Sequence, residues 1–213
     1  MSKKGKIIKG NIRSGLVRSV VSVLLPFLLR TVIIYVLGDK YLGLNSLFTS
    51  VLSVINLAEL GFSNAIIFCM YGPIARGEDD RVCALLAYYK RIYRLIGILV
   101  VTVGACITPF IPFLIKDGWP EDINIYILYI IYLLNASISY FFYAYKSALL
   151  TAAKRIDLVN WPQVFVLFLQ YVLQIGALLL FKNYYVFIII MPLCTIATNI
   201  IVARAQTNHL HHS

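Results

Sequence analysis

The chain has 213 residues, of which 61% are hydrophobic and 13% are charged, and its mean hydropathy is +0.84. Soluble domains carry about 25% charged residues, so this composition argues against an ordinary soluble enzyme. The formal net charge is +10, but the basic residues lie between long apolar stretches and form no basic stripe, which argues against a nucleic-acid partner. Composition and charge together predict an integral membrane protein.

Six stretches are apolar and long enough to cross a bilayer, which needs about 20 mainly apolar residues per helix. In chain order, these predicted spans are residues 14–37, 43–70, 93–115, 123–150, 158–181 and 184–204. Between the second and third spans, acidic residues precede apolar residues at helical spacing. This pattern predicts an amphipathic helix over 78–92 that lies on the cytoplasmic membrane surface and runs into the third span. A solvated linker is the alternative for that segment. The sequence therefore predicts an all-α, polytopic membrane protein: a six-transmembrane-helix bundle that forms a single membrane domain over residues 1–213.

The lysines and arginines that flank the spans are divided unequally between the two sides. Fourteen fall on one side, namely Lys3, Lys4, Lys6, Lys9, Arg13, Arg76, Arg81, Lys90, Arg91, Arg94, Lys146, Lys154, Arg155 and Arg204. Three fall on the other side, namely Lys40, Lys116 and Lys182. Because short loops rich in lysine and arginine stay in the cytoplasm, we expect both termini to be cytoplasmic.

Polar residues recur on one face of several predicted spans. They are Ser46, Thr49, Ser50, Ser53 and Asn56 in the second span, Asn135 and Ser139 in the fourth, Gln163, Gln170 and Gln174 in the fifth, and Thr195, Thr198 and Asn199 in the sixth. A transporter needs such faces because they line a water-filled path. The same residue types also hydrogen-bond neighbouring helices without touching any substrate. We expect the stripes to line a polar cavity, with helix–helix hydrogen bonding as the alternative.

Three ionisable residues lie inside predicted spans, where a charge costs at least about 2.5–3.5 kcal/mol on insertion scales. Arg18 is one turn into the first span and can reach the inner interface, whereas Arg30 lies towards the outer side. Glu59 lies near the middle of the second span and cannot stay ionised there without a partner or water. We expect Glu59 to pair with Arg18 or Arg30, and a coupling-ion or proton site is the alternative.

The sequence contains no catalytic or metal-binding motif. There is no Ser/His/Asp arrangement, glycine-rich phosphate loop or HExxH, and the three histidines lie within the last five residues. The four cysteines are too widely spaced for a zinc pattern. We therefore expect no enzyme activity, no cofactor and no metal site.

Two blocks of the chain have a more specific pattern. The first contains Tyr41-Leu42-Gly43-Leu44-Asn45-Ser46-Leu47-Phe48, Leu57-Ala58-Glu59-Leu60-Gly61-Phe62 and Tyr71-Gly72-Pro73-Ile74-Ala75. The second contains Ser139-Tyr140-Phe141-Phe142 and Tyr145-Lys146-Ser147-Ala148-Leu149-Leu150. With these motifs, almost the whole chain resembles the N-terminal lobe of bacterial polysaccharide and O-antigen repeat-unit flippases, Wzx-type proteins of the MATE-like MOP superfamily.

The resemblance implies a carrier in the bacterial cytoplasmic (inner) membrane. It would move undecaprenyl-pyrophosphate-linked oligosaccharide repeat units from the inner to the outer leaflet for capsule, O-antigen or exopolysaccharide synthesis. Membrane lipid and the lipid-linked oligosaccharide would be its partners. In this family, cationic cavity residues are thought to hold the pyrophosphate, which makes Arg18, Arg30 and Lys146 the candidates here. A guanidinium binds phosphate oxygens with two parallel hydrogen bonds and stays charged when buried.

The chain departs from the family in length, because family members have twelve to fourteen spans in two lobes around a central cavity. We expect a fragment or truncated product, a partner for a separately encoded C-terminal half, or a homodimer. Two other functions stay open. A MATE-like, cation-coupled exporter of small molecules would need acidic cavity residues, whereas a non-transporting membrane subunit would use its polar stripes only to hold partner helices.

Overall fold

The structure is a computed structural model that describes residues 3–116, 118–141 and 144–211, and within those ranges all side chains except 3, 4, 6, 56–60, 144–146 and 205–211. The described part of the chain is all helical and contains no strand, as the composition predicts. Its α-helices are α1 (Lys3–Val36), α2 (Asp39–Arg76), α3 (Asp79–Ile107), α4 (Ile111–Leu114), α5 (Ile125–Phe141), α6 (Ala144–Ala152), α7 (Asp157–Phe181) and α8 (Tyr184–His211). A 3-10 turn at Thr108–Phe110 joins α3 to α4.

Four segments of the described chain have the length and composition to cross a membrane: Ile7–Val36, Asp79–Leu114, Asp157–Phe181 and Tyr184–Arg204. They correspond to the first, third, fifth and sixth predicted spans. The fourth predicted span contains α5, which is apolar and 17 residues long. The second lies within α2, a 38-residue helix whose side chains at 56–60 are outside the described set. These apolar helices fit a membrane protein, and the total of six spans stays a prediction.

The segment predicted as an amphipathic helix, 78–92, forms the first part of α3 from Asp79 onward and continues without interruption into the third predicted span, as expected. Its side chains Val82 and Tyr89 are buried, and the Tyr89 hydroxyl lies 2.8 Å from the Ser63 hydroxyl of α2. The apolar side of this segment therefore packs on the helix bundle. Its location at the cytoplasmic membrane surface stays a prediction.

Short connections make successive helices neighbours. Gly77 ends α2 with φ 69°, a left-handed conformation that costs glycine nothing. Asn183 begins α8, because its side-chain oxygen accepts a hydrogen bond from the Tyr185 N–H at 2.8 Å. Asn124 does the same for α5 through the Tyr126 N–H at 3.1 Å.

The bundle is held by packing in the order α1, α7, α8, α5, α3 and α2, and α2 touches α1 again. Its core is aromatic: the Phe48 ring of α2 lies 5.6 Å from the Tyr129 ring and 5.4 Å from the Tyr132 ring of α5. Large apolar side chains of α1, such as Leu16 and Phe27, are exposed. Such a surface is expected where a helix faces lipid.

Candidate functional site

Two polar cavities lie on the side of the bundle where α1 packs on α7. The first, here named the Arg30 cavity, has a volume of ≈ 320 Å³ and lies among α1, α2, α7 and α8. Its polar lining consists of Arg30, Asn45, Ser46, Thr49, Ser50, Gln170 and Gln174. Its remaining wall is formed by Pro26, Leu29, Tyr171, Phe187 and Met191.

The second, here named the Arg18 cavity, has a volume of ≈ 280 Å³ and lies among α1, α5, α7 and α8. It is lined by Arg18, Ser22, Ser139, Gln163, Leu167, Gln170, Thr195, Thr198 and Asn199. Gln170 lines both cavities, so the two adjoin at this side chain. Together they form a polar strip on an otherwise apolar bundle, and Arg18 and Arg30 are exposed in it.

The spacing of residues along α1 explains how one helix serves both cavities. Arg18, Ser22, Pro26 and Arg30 follow one another at intervals of four residues. Residues at this interval form a continuous ridge on a helix surface. A rise of 1.5 Å per residue separates the two arginines by about 18 Å along the helix. The ridge therefore carries one cation into each cavity.

Arg18 is held by a buried amide of α7. Its Nη1 donates to Oδ1 of Asn160 at 3.0 Å. Asn160 is only 3% exposed, and its Nδ2 donates to the Ser14 hydroxyl at 3.2 Å. The Arg18 guanidinium is therefore fixed at one edge, while its other N–H groups stay available to the cavity.

Arg30 is held more loosely. Its Nη2 donates to the Ser46 hydroxyl of α2 at 3.4 Å, near the upper limit for a hydrogen bond. The ion pairs of the described residues join Arg76 and Arg81 to Glu78, and Arg155 to Asp157, so none of them involves Arg18 or Arg30. Among the described residues, each guanidinium donates one hydrogen bond to a side chain, which leaves donors that an anion could use.

The glutamines of α7 have different surroundings. Gln174 is 1% exposed, and its Nε2 donates to the Phe187 carbonyl of α8 at 3.3 Å. Gln170 donates to Gln174 at 3.5 Å. The buried Oε1 of Gln163 accepts no hydrogen bond from any described residue, although it belongs to the lining of the Arg18 cavity. That oxygen is an acceptor for a hydroxyl group or a water molecule.

The structure brings together most of the residues predicted to line a cavity. Ser46, Thr49, Ser50, Gln170 and Gln174 surround the Arg30 cavity, and Ser139, Gln163 and again Gln170 surround the Arg18 cavity. The predicted single cavity is thus two adjoining ones. The side chains of Asn56, Glu59 and Lys146 lie outside the described set, and so does the predicted pairing of Glu59 with an arginine.

Asn135 and Ser53 line neither of these two cavities. Asn135 accepts a hydrogen bond from the Thr195 hydroxyl of α8 at 2.7 Å. Ser53 donates to the Ser50 carbonyl of its own helix at 2.8 Å. These contacts match the alternative interpretation of the stripes, in which polar side chains bond within and between helices.

Sequence reasoning missed four residues at or behind the site: Ser14, Ser22, Asn45 and Asn160. The sequence pattern could have identified Ser22, because this residue lies four positions after Arg18 on the α1 ridge. Asn45 precedes the second-span stripe, lines the Arg30 cavity and accepts a hydrogen bond from the Tyr132 hydroxyl. Asn160 and Ser14 are 146 positions apart, and nothing in the sequence pairs them.

Comparison of the chain with protein-family models, with curated proteins and with solved structures finds no match. Its function is therefore argued from the cavities and from the residues that line them.

Proposed function

We propose that this chain is one lobe of a carrier that translocates undecaprenyl-pyrophosphate-linked oligosaccharide repeat units across the bacterial cytoplasmic membrane, for capsule, O-antigen or exopolysaccharide synthesis. The observation that carries the proposal is the pair of guanidiniums in adjoining polar cavities, without a carboxylate partner among the described residues. A cation within an apolar bundle is costly. A multiply charged anion that is bound there would offset this cost.

The chemistry of the lining suits both parts of such a head group. The planar fork of Arg18 or Arg30 matches two phosphate oxygens. The hydroxyls and amides around them can exchange hydrogen bonds with sugar hydroxyls. An anion that passes from Arg18 to Arg30 advances by about 18 Å along α1, a large part of the hydrocarbon thickness of about 30 Å.

Both arginines and the hydroxyls of Thr49 and Ser50 belong to residues that are exposed in this single chain. A polar surface of this kind is unfavourable against lipid. We infer that a second lobe, either a second copy or a separately encoded C-terminal half, covers the cavities in the working carrier. Rocking of two such lobes would expose the site to each side in turn.

A non-transporting membrane subunit is the second candidate. The hydrogen bond between Thr195 and Asn135 favours it, because it joins α8 to α5 through Asn135, which lines neither cavity. The described lining of the two cavities includes no carboxylate. A MATE-like exporter of cations is therefore less well supported.

The proposal is tested by translocation in proteoliposomes that contain the full chain and a fluorescent undecaprenyl-pyrophosphate-linked oligosaccharide. Arg18→Ala and Arg30→Ala are each expected to slow translocation by about 10- to 100-fold, because each removes hydrogen bonds between a charged donor and the anion. The matched control is Arg94→Ala, which removes an exposed arginine of α3 that lines neither cavity. Equal rates in all four proteins would contradict the proposal. So would the absence of translocation above protein-free vesicles when the second lobe, as a second copy or a C-terminal half, is present in the same vesicles.

A further inference from the structure

Asn160 lies behind the Arg18 cavity and does not line it. It is nevertheless the side chain that accepts a hydrogen bond from Arg18. We propose that Asn160 is a positioning residue: it fixes the direction of the Arg18 guanidinium so that the free edge of that group meets a phosphate anion in the cavity. This inference rests on the proposed function, since it gives Arg18 an anionic ligand.

The direction of the hydrogen bonds decides which atom of the amide faces the arginine. The Ser14 hydroxyl has one proton and donates it to the Asn11 carbonyl at 3.0 Å. Towards Asn160, this hydroxyl can therefore only accept, and it does so from Nδ2 at 3.2 Å. The amide oxygen is thereby turned towards Arg18, the only orientation in which it can accept from Nη1.

Asn11, whose carbonyl accepts the Ser14 hydrogen bond, is itself held by two further hydrogen bonds. Asn11 donates through Nδ2 to the Lys154 carbonyl at 2.9 Å and accepts through Oδ1 from the Asp157 N–H at 2.9 Å. It thereby ties α1 to the turn that precedes α7. Ser14 is 0% exposed and Asn160 is 3% exposed, so the bond between them is shielded from water. The bond from Asn160 to Arg18 is partly buried. Arg18 is consequently preorganised, which lowers the entropy lost when it binds a ligand.

A neutral amide at position 160 preserves the charge that an anion would use. A carboxylate in the same place would lie about 3 Å from Nη1 and form an ion pair with it. It would also remove the amide N–H of residue 160 that donates to the Ser14 hydroxyl. An asparagine therefore orients Arg18 without neutralising it.

The test measures binding of inorganic pyrophosphate to the detergent-solubilised full chain by titration calorimetry. Asn160→Asp is expected to weaken binding by about 10- to 100-fold, because it pairs with Arg18. Asn160→Ala and Ser14→Ala are expected to weaken it less, since Arg18 stays charged but loses its fixed direction. Asn183→Asp is the matched control: it makes the same change of amide to carboxylate at the start of α8, where an oxygen acceptor is retained.

A double variant separates positioning from a general structural role. If Asn160 acts through Arg18, the variant that combines Arg18→Ala with Asn160→Ala binds no more weakly than Arg18→Ala alone. Losses that multiply, or wild-type affinity in both Asn160→Asp and Asn160→Ala, would overturn the inference while leaving the proposed function intact. If the wild-type protein binds no pyrophosphate, or if Arg18→Ala binds it as tightly as wild type, the pyrophosphate site at Arg18 fails and the inference fails with it.

Discussion

At Gly97, α3 comes so close to α5 that a side chain has no room. A Cβ atom at this position would lie 2.8 Å from Cβ of Tyr140 and 3.1 Å from Cζ of Phe141. The Cβ of Tyr140 cannot move away without its backbone. We expect Gly97→Ala to lower the free energy of unfolding by about 1–3 kcal/mol, the usual cost of overpacking, as measured by thermal unfolding in detergent.

The control for this prediction is Gly176→Ala in α7, where an added Cβ meets no atom within 4 Å. In an open helical position, alanine is slightly favoured over glycine. This variant should therefore unfold at or just above the wild-type temperature. Equal unfolding temperatures for the two variants would show that the α3–α5 contact is not tight in solution.

At the scale of single residues, the sequence predicts the cations of the site better than it predicts their surroundings. Arg18 and Arg30 stand out because a charge is rare in an apolar stretch, and α7 repeats its glutamines on one helix face. Asn160 looks like an ordinary polar residue near the start of a span. Its role depends on Ser14, which lies far away in the chain, and local patterns carry no information about such a contact.

At the scale of elements, a contact on the predicted outer side joins the start of α2 to the segment before α5. The Tyr41 hydroxyl lies 2.8 Å from each carboxylate oxygen of Asp122 and donates its proton there. Burial, and then the hydrogen bond and the charge of Asp122, raise the pKa of Tyr41 from 10.0 to about 12. The folded state therefore holds this proton more tightly than the unfolded state does.

Because the pKa of Tyr41 is higher in the folded state, the protonated hydroxyl stabilises the fold. Its contribution is fully present below pH 10.0, the usual pKa, and is lost as the pH rises towards about 12. We expect the stability advantage of wild type over Tyr41→Phe to shrink as the pH rises from 10.0 to about 12, as measured by chemical unfolding in detergent. A difference that stays constant over this range would contradict the assignment, and Tyr35→Phe, an exposed tyrosine of α1, is the control.

The element boundaries show what hydropathy can and cannot predict. The first and fifth predicted spans end at residues 37 and 181, and the corresponding helices end at Val36 and Phe181. The start of α1 at Lys3 was not predicted. Basic residues mark the limit of an apolar span in the sequence, but the helical backbone can continue through them. The continuation of the amphipathic segment into the third span was predicted, and the backbone forms one helix over Asp79–Ile107.

At the scale of the whole molecule, the distribution of basic residues predicts one orientation in the membrane. We expect a cysteine introduced at Lys116 to react in intact cells with a membrane-impermeant maleimide, and one at Arg81 to react only after the membrane is opened. Both positions are exposed. The four native cysteines must first be replaced, since Cys69, Cys83 and Cys106 are exposed. The reverse labelling pattern would invert the proposed direction of transport along α1.

Pro26 lies on the α1 ridge between Arg18 and Arg30, one interval of the ridge before Arg30. Proline has no N–H to donate to the carbonyl of Ser22, so this backbone hydrogen bond of α1 is absent. The backbone of α1 therefore bends most easily between its two cations. A change in bend at this proline would move Arg30 relative to Arg18 and so alter the distance between the two anion-binding groups.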